Sequence, residues 1–129
     1  MNTISAYKID VHRRLCIQKD LSELSSWIHT LECFNIELDH HKIIEKQLIK
    51  NTSVSGNIQA LRRKNILNMA SLCKYEQELK KEYEYGKVEY DAVRSKLHNQ
   101  KRENYLKFIE ECNMFKNQFY VLLHKYHSK

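Results

Sequence analysis

The residues best suited to chemistry are two histidine–cysteine pairs, His12 with Cys16 and His29 with Cys33. Residues four apart share a helix face, so each pair could present two zinc ligands. The pairs begin 17 residues apart, which is about 25 Å along a straight helix and a rotation of about 100°. They cannot share one tetrahedral ion, so no metal site is expected. His40 and His41 are adjacent and point about 100° apart on a helix; they read as ordinary solvated side chains, with a pH-sensitive surface spot as the alternative.

Nothing else in the chain converges on catalysis. It has no glycine-rich phosphate loop, no strand-borne nucleophile and no cluster with metal-ligand spacing, so neither an enzyme nor a cofactor-binding protein is expected. The basic run Arg62, Arg63 and Lys64 could contact phosphates or an acidic partner. Acids interleave with the bases over most of the same region, as in Glu76, Glu78, Glu82, Glu84 and Glu89. A solvated helix face is the plainer reading.

The remaining candidate is aromatic. Tyr105, Phe108, Cys112, Phe115, Phe119, Leu122 and Tyr126 follow in unbroken three–four steps, the spacing that keeps one stripe facing a neighbour. Such a stripe is either core within the chain or a seam docking a partner helix; the seam is preferred.

The elements that carry these residues follow from composition. The 129 residues include no proline and two glycines, against about 6 and 9 at average usage. A chain so poor in helix breakers and positive-φ residues is mostly long helix. Its apolar runs last a few residues, far short of the ~20 that span a bilayer, and the first residues lack a secretory core. No membrane association is expected. The four cysteines are scattered singly, as buried cysteines in a reducing cytosol or nucleus usually are. The net charge of +6 falls wholly in residues 51–129, a bias that suits an acidic protein or a weak nucleic-acid contact.

An all-α fold of two long helices is expected, as a helical hairpin, coiled coil or part of a bundle. The first helix covers residues 1–50, with Leu21, Leu24, Ile28, Leu31 and Leu38 packing the hairpin. Asn35 also falls on that seam, where a buried amide would set register; alternatively the seam slips to Phe34 and Asn35 faces water. Asp20 and Glu23 resemble a capping box that could split this helix. Residues 51–57 form the turn, with Gly56 as its positive-φ residue. The second helix covers 58–129, with a seam through Leu72, Leu79, Tyr83, Gly86, Tyr90, Val93 and Leu97 and a bend near 98–104 as an alternative. It would outreach the first by some twenty residues, leaving most of the aromatic stripe uncovered.

The run Lys101-Arg102-Glu103-Asn104-Tyr105 leading into Phe108, Cys112, Phe115 and Tyr126 resembles the N-terminal helical regions of synaptonemal-complex central-element proteins. The resemblance implies a helical protein that assembles between meiotic chromosomes. Taken with the uncovered stripe, it leads to the expected function: a structural subunit assembling through coiled-coil helices, as homo- or hetero-oligomer, into a cytoskeletal or chromosome-associated complex. The rival is a self-contained helical binding or adaptor module contacting nucleic acid or an acidic partner through its basic second helix. Neither reading includes a small-molecule substrate.

Overall fold

The computed structural model describes residues 3–127; the expected helix ends at residues 1–2 and 128–129 lie outside them. Three helices are present: α1 (Thr3–Ile44), α2 (Thr52–Tyr85) and α3 (Ala92–His127). The fold is all-α, and the described residues contain no strand. Among the described residues no helix is long and apolar enough to cross a membrane.

The first turn lies just upstream of the expected one. The last turn of α1 widens into a π-helical segment, Glu45–Ile49, which brings Ile49 into the core. Lys50 then adopts the left-handed conformation at φ 49, and its N–H donates to the Glu45 carbonyl at 2.6 Å. Asn51 is the N-cap of α2: its Oδ1 accepts from the amides of Ser53 at 2.9 Å and Val54 at 3.3 Å. These bonds satisfy amides that the first helical turn leaves without partners. The turn is therefore the Lys50–Asn51 pair. Residues 52–57, expected as loop, are already helical, and Gly56 has no positive φ.

The expected second helix is two helices. α2 ends at Gly86, which is extended (φ −71, ψ 149) and donates its N–H to the Glu82 carbonyl. Asp91 restarts the chain as a cap, its Oδ1 accepting from the Arg94 amide at 3.0 Å. The break thus falls between Gly86 and Asp91, not near residues 98–104. It also cuts the seam expected through Gly86. Leu72 and Leu79 remain buried on α2, whereas Val93 and Leu97 on α3 face outward.

Each pairing is read from side chains that meet across it. Arg13 donates to the Glu82 carbonyl, Asn65 to the Leu31 carbonyl and Arg62 to Asp39, so α2 runs antiparallel to α1. Along α3, Tyr105 stacks on Trp27, Phe108 meets Phe34, and Phe115 and Phe119 meet His41. Both series rise together, so α3 runs parallel to α1. At 42, 34 and 36 residues, the helices measure about 63, 51 and 54 Å. The folding back of α3 removes the expected overhang.

One core runs the length of this up-down-up bundle. Ile17, Leu24, Ile28, Leu31 and Leu38 of the α1 seam are buried, and Leu21 is half-buried. Phe34 is buried and Asn35 half-buried, so the seam shifts by one residue there. The fully buried amide is instead Asn65, whose Nδ2 donates to the Leu31 carbonyl at 3.0 Å.

Candidate functional site

The aromatic stripe belongs to the core of its own chain. Phe108, Cys112, Phe115 and Phe119 are buried, Tyr105 and Leu122 are half-buried, and Tyr126 is exposed. In the folded chain the four buried members are covered by α1 and cannot also dock a partner. The docking role expected of them is corrected, and the reason is the third helix: once the chain turns at Gly86–Asp91, its own α1 lies alongside the stripe. Burial pushes the Cys112 thiol up to about 12, so this cysteine behaves as a small apolar side chain.

The basic cluster is largely spent inside the chain. Arg62 pairs with Asp39 of α1, and Lys64 reaches Glu111 of α3 at 2.6 Å. Arg63 is exposed. The His12–Cys16 and His29–Cys33 pairs form thiol–imidazole contacts of 3.5 and 3.6 Å on different sectors of α1. His41, expected in solvent, is instead buried among Phe115, Phe119 and Tyr120, and burial holds its pKa below the usual 6.5.

A second polar group draws on all three helices and the α2–α3 connection. Asp20 and Glu23, one turn apart on α1, face His98 of α3; the three offer ligand atoms within 4.8 Å of one another. His98 is 2% exposed and lies against the face of Trp27, ring centroids 5.2 Å apart. Its Nε2 is 2.7 Å from Glu23 Oε1 and its Nδ1 is 2.7 Å from the Tyr75 hydroxyl. A carboxylate only accepts, so Nε2 carries the proton and, in the neutral ring, Nδ1 accepts from Tyr75. Arg102 clasps both oxygens of Glu23, at 2.6 and 2.7 Å, and Tyr90 donates to Asp20.

The electrostatics follow from these contacts. The Arg102 guanidinium, with help from His98, holds the Glu23 carboxyl at about 2, and Glu23 raises Arg102 in return. Burial pushes the Tyr75 and Tyr90 phenols up, followed by the charge of Asp20 at Tyr75 and the hydrogen bond to Asp20 at Tyr90, so both remain protonated donors. A metal ion here would compete with a guanidinium that already neutralises Glu23. The adjoining cleft, lined by Asp20, Tyr90, His98 and Arg102, is about 230 Å³, below the ~300–1,000 Å³ common for ligand pockets. The arrangement is that of a polar clasp fixing α3 against α1. Glu23 and His98 are 75 residues apart, and no local pattern links them. The Asp20–Glu23 spacing, readable as a capping box, serves tertiary contacts within an unbroken helix.

The outer face of α1 is an open surface. Leu15, Ser22, His29, Ile36 and Ile43 recur every seven residues opposite the core, and all are exposed, with Leu15 at 60%, Ile36 at 57% and Ile43 at 53%. Beside them lie Val11, Gln18, Ser25, Ser26, Cys33 and His40, also exposed. Together they cover a sector of about 100° that holds no charged side chain from Val11 to Ile43. The charges stand on its two margins: Arg14, Glu32 and Asp39 on one, Lys19 and Glu37 on the other. The outermost face of a three-helix bundle is ordinarily charged, and this one is not.

Comparison with protein-family models, with curated proteins and with solved structures found no match.

Proposed function

We propose that this chain is a non-enzymatic structural subunit that assembles with other helices into a multi-chain complex, through the outer face of α1. The observation that carries the reading is the uncharged sector from Val11 to Ile43. It is helical and about 48 Å long. A surface that long and narrow fits a helix, whose own stripe would lie along it. α1 then has apolar neighbours on both sides, as a helix interior to an assembly does.

The chromosomal setting is the part of the proposal that rests on the resemblance of residues 101–126; the cytoskeletal one rests on the all-helical texture alone. Contact with nucleic acid or an acidic partner through Arg62, Arg63 and Lys64 is the weaker reading, because Arg62 and Lys64 already neutralise Asp39 and Glu111.

The test places charge on the sector without touching the core. In native extracts the tagged wild-type chain is expected in a species larger than its own 15.6 kDa. Ile36→Glu with Ile43→Glu should run at the mass of the free chain, with unchanged helix content. A wild-type chain that itself runs at the free mass would reject the proposal.

A further inference from the structure

Resting on that reading, we infer that a second copy of this chain occupies the α1 outer face, antiparallel, with a two-fold axis passing beside His29. The heptad positions of the sector are complementary about that point. Reversal about His29 sets Leu15 against Ile43 of the other copy, and Ser22 against Ile36. Large side chains at the ends thus meet each other, and nearer the axis an isoleucine meets a serine, the large-into-small fit that lets helices approach. His29 meets its own copy at the centre.

The margins decide the direction. A two-fold axis perpendicular to the helices brings each margin of the sector against the same margin of the other copy. Lys19 then stands about 3 Å along the axis from the partner's Glu37, twice by symmetry. On the opposite margin Arg14 and Asp39 already pair within the chain, with Asp10 at 3.3 Å and with Arg62, so that edge adds little to the choice. A parallel pairing crosses the margins. It takes Lys19 away from Glu37 and sets it beside the partner's Arg14, a repulsive contact. Opposed charges at the edges select the orientation of paired helices, and here the Lys19–Glu37 edge favours the antiparallel one.

This interface differs from the polar clasp and from the aromatic core, both of which lie on the inner side of α1. It therefore needs no rearrangement of the bundle. The serine-rich middle of the sector makes the association moderate, with dissociation expected in the micromolar range.

The experiment is light scattering on the purified full chain over about 1 to 500 µM, a span bracketing micromolar dissociation. The mass should rise from 15.6 kDa toward twice that value. Lys19→Glu should weaken dimerisation about tenfold or more, since it turns two attractions into two repulsions. Adding Glu37→Lys to it should restore dimerisation to within about threefold of wild type. Circular dichroism melts serve as the control for folding, because Glu37 also pairs with Lys116 within the chain at 2.7 Å. A monomer across the whole range overturns the inference. So does a dimer that Lys19→Glu strengthens, the result for parallel helices, or one indifferent to Ile36→Glu. A purified monomer that still enters a large species in extracts overturns this inference alone, whereas a free chain in both settings also rejects the assembly reading.

Discussion

The imidazole of His98 lies 2.7 Å from the carboxylate of Glu23, and this contact joins the start of α3 to the middle of α1. Trp27 covers one face of the ring, and Tyr75 of α2 holds its other nitrogen. His98→Ala removes buried ring contacts and leaves the Tyr75 hydroxyl and part of Glu23 without partners. The expected loss is about 2–4 kcal/mol, read from urea melts. A loss below about 1 kcal/mol would mean that the clasp does not hold α3.

Glu23 also makes stability depend on acid. Its folded carboxyl titrates at about 2, against 4.5 in the free side chain, so the unfolded chain binds the proton more readily. The contribution is present in full above pH ~4.5 and is lost as pH falls from there toward 2. Glu23→Gln should flatten the stability profile in that window and lower the plateau above it. Denaturant melts at a series of pH values between 2 and 7 check both effects.

His41 acts in the same direction at a higher pH. Burial against Phe119 disfavours its charged form, so its folded pKa lies below 6.5. The unfolded chain binds more protons between the two values. Stability is therefore highest above pH ~6.5 and declines as pH falls through that window. His41→Phe should remove this decline while leaving the lower one due to Glu23. Persistence of the upper decline in the variant would assign it to another group.

The aromatic stripe predicts loss of the fold. Phe119 is 1% exposed and Phe115 7%, so Phe115→Asp with Phe119→Asp buries two carboxylates beside His41. The far-ultraviolet helix signal of the isolated chain should collapse. Phe119→Ala alone should cost about 3–5 kcal/mol. Retained helix and a cooperative melt in the double variant would show that α3 does not pack as described.

Two backbone positions can be improved. Gly56 sits in the second turn of α2 with nothing within 4 Å of an added Cβ, so Gly56→Ala should stabilise by about 0.5–1 kcal/mol. Lys50 carries a left-handed conformation at φ 49, which costs a non-glycine residue about 1 kcal/mol. Lys50→Gly should recover part of that, less glycine's greater freedom in the unfolded chain. A decrease in melting temperature for Gly56→Ala would place residue 56 outside the helix.

Local chemistry settled the helical class and most of the inward faces. Without proline the chain had few alternatives to helix, and three–four spacing selected Leu24, Leu31 and Leu38 on α1 and Phe108, Cys112 and Phe115 on α3. Those choices depend on periodicity within one helix, which a sequence carries directly. The ends were also written locally, in Asn51, Gly86 and Asp91. Gly56 and Gly86 were nonetheless misread, because a glycine is compatible with turn and helix alike and only packing decides which it joins. What covers the aromatic stripe could not be local, since it depends on where a chain turned at Gly86–Asp91 comes to rest. The tertiary structure brought Glu23 and His98 together across 75 residues. It also buried His41 and left the uncharged sector of α1 as the open face. Burial is a property of the neighbours a side chain acquires, and those neighbours come from other helices.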